Sequence, residues 1–267
     1  MIDLFELYLH EDCPYEDETT ELLGIDGNAN LRIITRENGV SACTEDLADF
    51  YRRKGIDVVG FVESGKEFKA GDVVFEAKGD AKLLFKLWRI SQTFLSITCA
   101  IATATSKLVR LARSVNPNVI VATTRKTHPG LRKFELKAVI AGGGHIHRNS
   151  LSDSVLITPN HLKFVDRLEG LRSLRKIEIE PRNIEEALRF AKIADVLLLD
   201  HYTPEELGEM VPKLKSMNPR LKVAVAGNIN ERNVTDFAKF ADIIVTSSPY
   251  YAKPLDMTTK IDPLQST

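Results

Sequence analysis

The stretch "KIEIEPRNIEEALRFAKIADVLLLD", residues 176–200, changes its hydrophobic period twice. "KIEIEP" alternates in the way of a strand, "NIEEALRFAKIA" repeats its apolar side chains at helical spacing, and "VLLLD" is a short continuous apolar run suited to a strand covered on both faces. A strand, a helix and a strand in succession form a βα unit, whose strands pair in parallel. Further short apolar runs extend the pattern on both sides: "VIVATT" at 119–124, "KAVIAGGG" at 137–144, "SVLITPNH" at 154–161, "VAVAGN" at 223–228 and "IIVTSS" at 243–248. "TPEELGEMVPKLKSM" supplies another helix. Read as strands, these runs number seven and favour a barrel-like closure.

The chain changes character near residue 118. Ahead of it lie a glycine-marked, β-rich stretch, "GIDVVGFVESGKEFKAGDVVFEAKGDAKLLF", and a long helical pattern over Leu83 to Ser114. The 267 residues are 43% hydrophobic and 27% charged, enough apolar material for a large core. A net charge of -1 gives no global field for nucleic acid or an anionic membrane, so any anion site must be local. Cys13, Cys43 and Cys99 are odd in number and widely spaced, which suggests neither a disulfide framework nor a zinc knuckle. The acidic start "MIDLFELYLHEDC" is unlike a leader, and no apolar run is expected to reach bilayer length. A cytoplasmic protein is expected.

The strand ends carry the chemistry. They are Thr124-Arg125-Lys126, Gly142-Gly143-Gly144, Thr158, Glu178 and Glu180, Asp200, Gly227-Asn228 and Ser247-Ser248. In a βα barrel the loops after the strands converge at one face, so these ends describe one polar cup. The late ends "AVAGNIN" and "VTSSPY" suit backbone donation to a phosphate. Glu178, Glu180 and Asp200 opposite Arg125, Lys126 and Arg148 suit either a Mg²⁺ ion bridging phosphate oxygens or a set of salt bridges across the mouth. In "GGGHIHR", His145 and His147 are weak zinc ligands, whereas an Arg beside a His grips a planar carboxylate. His10, His128 and His161 read as capping, packing or surface residues. No GxSxG, P-loop or GxGxxG pattern occurs, which argues against hydrolase-elbow, Walker and dinucleotide chemistry.

The run "TRKTHPGLRKFELKAVIAGGGHIHRNSLSDSVLI" resembles the central signature of the quinolinate phosphoribosyltransferase family, and "EDCPYEDETT", "IEIE", "LLLD" and "AGNI" follow in that family's order. "WRISQ", "NPNVIVATTRK" and the early "EDCPY" are most similar to its ModD branch, associated with molybdenum utilisation. The resemblance implies an N-terminal α/β sandwich (1–117), an incomplete C-terminal α/β barrel (118–249) and a tail (250–267) packing back on the first domain. It implies a homodimer, or a higher assembly, with the site at the subunit interface. The reaction implied moves the phosphoribosyl group of phosphoribosyl pyrophosphate to the ring nitrogen of quinolinate, giving nicotinate mononucleotide, CO2 and pyrophosphate. Arg125, His147 and Arg148 would contact the acid. Lys126, Glu180 and Asp200 would be catalytic, with Glu180 and Asp200 binding Mg²⁺ through the donor. Ala226, Gly227, Asn228, Thr246, Ser247 and Ser248 would hold the 5′-phosphate.

This chain departs from the family pattern at four positions: Ile97 stands where an Arg is expected, Thr158 where a Lys is expected, Ala224 for a Glu and Asn228 for a Gly. The two lost cations favour an acceptor less anionic than quinolinate. A non-catalytic accessory protein of molybdenum utilisation, binding an oxyanion or a nucleotide, is the alternative.

Overall fold

The computed structural model describes residues 3–165, 168, 171 and 175–265. They form two compact units: Met1–Ser106 with His128–Gly143 and Pro249–Thr267, and Lys107–Thr127 with Gly144–Ser248.

The first unit contains α1 (Leu4–Asp12), α2 (Glu18–Leu22), α3 (Thr44–Arg53), α5 (Arg132–Ala141) and most of the long α4 (Ala81–Val115). Its strands are β1 (Asn28–Thr35), β2 (Gly39–Val40), β3 (Asp57–Phe61), β4 (Glu67–Phe68), β5 (Val73–Asp80) and β13 (Met257–Pro263). The four longer strands make an antiparallel sheet in the order β13-β1-β5-β3. Alternation dictates β1: Ala29, Leu31 and Ile33 are buried, while Asn30 and Arg32 between them are only half-buried.

A helical stripe dictates α4, since Leu84, Leu87, Ser91, Leu95, Thr98, Ala102 and Thr105 recur at three- and four-residue steps and are all buried. Four of its hydroxyls turn back onto the helix itself. Ser91, Thr98, Thr103 and Thr105 each bond the carbonyl four residues earlier. One expectation from the sequence needs correcting here. Among the described residues, α4 is long and apolar enough to cross a membrane by length and composition, and 61% of its most apolar window is buried inside the protein, as in a core helix.

"KAVIAGGG" also needs correcting, because residues 132–141 are the helix α5 and belong to the first unit. A short apolar run does not distinguish strand from buried helix. Here helix formers precede it without a break, and Phe134 and Ala138, then Glu135 and Val139, share a buried face at four-residue spacing. Gly142 ends the helix against α4, where an added Cβ would lie 2.4 Å from the Ala102 carbonyl oxygen. The strand expected there is β7 (His145–Ile146) instead.

The second unit joins β7 to β6 (Ile120–Thr123), β8 (Val155–Ile157), β9 (Ile177–Ile179), β10 (Val196–Asp200), β11 (Lys222–Ala226) and β12 (Ile243–Thr246). With α6 (Ile184–Phe190), α7 (Pro204–Met217) and α8 (Val234–Ala238) they form a seven-stranded parallel sheet ordered β7-β6-β12-β11-β10-β9-β8. No pairing joins β7 to β8 among the described residues, so the sheet is an incomplete barrel. Alternate residues separate its faces. Leu197, Leu199, Val223 and Val225 pack among the helices, while Leu198, Ala224, Ala226 and Val245 form a small inner cluster joined by Leu156, Val196 and Ile243.

Candidate active site

That inner face aims the acids. Glu178 shares its register with Leu156 on β8 and Val196 on β10, both members of the inner cluster, so it points inward. Glu180, two residues on, points the same way, and Asp200 continues the face of Val196 and Leu198. Burial, then the neighbouring carboxylates of Asp200 and Glu178, raise the Glu180 carboxyl above the ordinary range, while His201 and Lys126 act in the opposite direction. Arg148 is held below the usual guanidinium value by burial and by Arg125, with Glu178 and Asp153 opposing. Glu178 thus acts on both Glu180 and Arg148. It is also paired with His147, whose Nε2 lies 2.8 Å from Oε2 and 3.0 Å from Oε1. The two side chains are only 10% and 12% exposed.

The cations of the cup stay unpaired. Among the described residues neither Arg125, Lys126 nor Arg148 makes an ion pair, and neither does Glu180; Asp200 approaches only His201, at 3.8 Å. Salt bridges across the mouth, one of the two sequence readings, are therefore not formed among these residues. Unpaired charges of both signs close enough to act on one another suit a ligand carrying anions and a cation together. The His145/His147 pair provides no zinc site: no group of three His, Cys, Asp or Glu converges on an ion among the described residues. Glu178, Glu180 and Asp200 form no such group either, so a Mg²⁺ held at Glu180 and Asp200 would have to take its remaining oxygens from a substrate.

The two small-residue loops lie on the adjacent strands β11 and β12 and are tied together, with the Thr246 hydroxyl donating to the Ile229 carbonyl at 2.6 Å. Asn230 and Asn233 donate through their amides to the Asn228 carbonyl, at 3.1 and 3.2 Å. Gly227 and Asn228 both have positive φ, at 102° and 50°. Ser248 donates its N–H to the Thr246 hydroxyl at 3.0 Å. Thr158 ends β8 bound to its own loop: its N–H donates to His161 Nδ1 at 3.0 Å, and its hydroxyl lies 2.8 Å from the same nitrogen. The His161 ring thus holds the chain just after β8. The residue that sequence reasoning missed is His201, directly after Asp200, whose φ of 65° nothing in "LLLDHY" announced.

In the first unit, Ile97 lines a cavity of about 550 Å³ with Arg89, Thr93, Phe94 and Phe134. Glu135 lines the cavity as well, and its buried carboxylate lies 2.5 Å from the His128 ring Nδ1.

A parallel half-barrel with acids, unpaired cations and small-residue loops at the carboxyl ends of its strands is a site suited to an anionic, phosphorylated substrate. Comparison with known proteins makes this particular. Residues 101–260 match the model of the quinolinate phosphoribosyl transferase C-terminal domain and residues 17–99 that of the N-terminal domain. The chain belongs to the quinolinate phosphoribosyltransferase family, and is a pentosyltransferase of that type. It is 32% identical over 271 residues to a Pasteurella multocida protein named as the pyrophosphorylase ModD, covering 96% of this chain and 95% of the relative. It is 36% identical over 240 residues to an Archaeoglobus fulgidus protein named as a carboxylating nicotinate-nucleotide pyrophosphorylase, covering 86% and 93%. The crystal structure of NadC from Streptococcus pyogenes superposes with a TM-score of 0.88 at 26% identity, covering 98% of this chain and 97% of that one.

Proposed function

We propose that the chain moves the phosphoribosyl group of phosphoribosyl pyrophosphate onto a ring nitrogen of a heteroaromatic acid, either quinolinate or a less anionic relative. The observation that carries this is the unpaired state of Arg125, Lys126 and Arg148 beside the repelling carboxylates of Glu180 and Asp200. In the reaction the anomeric C–O bond to pyrophosphate breaks and a C–N bond forms. Positive charge grows on the sugar and negative charge on the leaving group. Carboxylates near the sugar and cations near the pyrophosphate therefore favour the transition state over the ground state.

In this reading Glu180 and Asp200 flank the ribose, Lys126 holds the donor, and Arg125, His147 and Arg148 hold the acid. The loops Ala226–Asn228 and Thr246–Ser248 take the 5′-phosphate. Glu180 and Asp200 would hold Mg²⁺ through the donor's oxygens, and the ion would supply neutralisation of the leaving group's charge. With quinolinate as acceptor, loss of CO2 follows and nicotinate mononucleotide is released.

Ile97 and Thr158 bear on which acid is used. Each missing cation removes a charged hydrogen bond of about 1.5–3 kcal/mol to a dianion, so a heteroaromatic monocarboxylate is the better match. The test is pyrophosphate release from phosphoribosyl pyrophosphate and Mg²⁺ with quinolinate, nicotinate and related acids, with mass spectrometry of the nucleotide. Silence across that panel would sink the transfer reading and favour the accessory role in molybdenum utilisation. We further infer a homodimer, to be checked by light scattering at micromolar concentration, and a cytoplasmic location in keeping with three free cysteines.

A further inference from the structure

His201 stands where two strand ends of the second unit meet. Its φ of 65° is a left-handed conformation that side-chain-bearing residues rarely adopt. Packing does not explain it, because the side chain is 64% exposed. Its ring makes no hydrogen bond among the described residues: Nε2 is 3.8 Å from the Asp200 carboxylate, beyond bonding reach. What holds it is backbone. The His201 N–H donates to the Ala226 carbonyl at 3.1 Å. Across from it, Gly227 leaves no room for a side chain, since a Cβ there would lie 2.6 Å from His201 N, 2.8 Å from its Cα and 3.0 Å from its Nδ1. Two neighbouring strand ends thus both take positive φ, and the result is a solvent-facing imidazole without a protein partner among the described residues, standing against the Gly227-Asn228 loop. Unusual backbone of this kind persists where surrounding structure over-determines it, characteristically at ligand sites.

We infer that His201 donates a hydrogen bond to the 5′-phosphate of the phosphoribosyl donor, adding a side-chain contact to the Gly227-Asn228 loop. This rests on the transferase reading above. Its position fits the phosphate ester better than the pyrophosphate, because Nδ1 faces Gly227, whereas only Nε2 turns toward Asp200.

The test is calorimetry on the full chain with ribose 5-phosphate and, separately, with Mg²⁺-pyrophosphate, using the wild type, His201→Gly and His201→Asn. Glycine accepts a positive φ and removes the ring. Asparagine tolerates a positive φ and keeps a donor. Ribose 5-phosphate is expected to bind His201→Gly about tenfold more weakly, a loss of about 1.4 kcal/mol, and His201→Asn within about threefold of the wild type, with pyrophosphate unchanged in both. Unchanged ribose 5-phosphate affinity in His201→Gly would overturn the inference and leave the transferase reading standing. Equal losses for both ligands would overturn it too, because that is the mark of a general structural role. A wild type that binds neither ligand would bring down the transferase reading itself.

Discussion

Gly227→Ala offers a quantitative check on the phosphate loop. The added methyl meets two penalties. The first is conformational: φ of 102° is foreign to a residue with a Cβ and costs about 1–3 kcal/mol. The second is steric, since the methyl would lie 2.6 Å from His201 N and 2.8 Å from its Cα. These are backbone atoms that cannot rotate aside, and overpacking of this kind adds about 1–3 kcal/mol. The sum, roughly 2–6 kcal/mol, corresponds to a melting temperature lower by roughly 4–24 °C in a protein of about this size. Gly55→Ala is the internal control, because Gly55 also has a positive φ, 77°, but nothing within 4 Å of the position its Cβ would take. It should show the conformational penalty alone. Differential scanning calorimetry of both variants, with ribose 5-phosphate affinity measured alongside, separates the two contributions. Gly227→Ala melting no lower than Gly55→Ala would refute the close approach of His201 and with it the built geometry of the loop.

Glu178→Ala strands the His147 ring in the barrel and should cost about 1–3 kcal/mol, read by thermal melting, with a raised KM for the acid acceptor and little change for the phosphoribosyl donor. Glu180→Gln should lower kcat by about 10²-fold or more yet stabilise the free enzyme at neutral pH. The sign follows from linkage: a carboxyl whose folded pKa is raised loses stability as pH climbs from its unfolded pKa through the folded one, so the gain from Gln should shrink as pH falls from neutral and be gone by about pH 4. Melts of both proteins between pH 4 and 8 in the absence of Mg²⁺ and donor decide this. Thr158→Lys, alone or with Ile97→Arg, restores the expected cations and should shift the ratio of kcat/KM toward quinolinate over nicotinate by about tenfold or more.

Much of the site was legible because a strand's period of two fixes which side chains share a face. Glu178, Glu180 and Asp200 could be aimed into one cup from "IEIE" and "LLLD" alone. The parallel sheet followed from "NIEEALRFAKIA" lying between two apolar runs. "KAVIAGGG" misled because a short apolar run carries no period long enough to distinguish helix from strand, and the decisive fact, Gly142 against the Ala102 carbonyl, is a tertiary contact. The apolar length of α4 was hidden by serines and threonines whose hydroxyls turn back onto their own helix. The choice between paired and unpaired charges at the mouth was beyond the sequence, since it depends on side-chain separations across different strands. The backbone of His201 was equally out of reach, because no residue type demands a positive φ there.

The division into units has a consequence for how the protein is made. The chain passes between the two units four times, at 106/107, 127/128, 143/144 and 248/249, so neither is a continuous segment. The sheet of the first unit is closed by pairing Ala29 with Pro263 and Thr35 with Met257, near opposite ends of the sequence. Contacts of such separation are slow to form, because loop closure comes before any reward from pairing. A nascent chain shorter than residue 257 leaves β1 with one edge bare, open to pairing with other molecules. The unit that begins first on the ribosome is therefore completed only after every strand of the half-barrel has been synthesised.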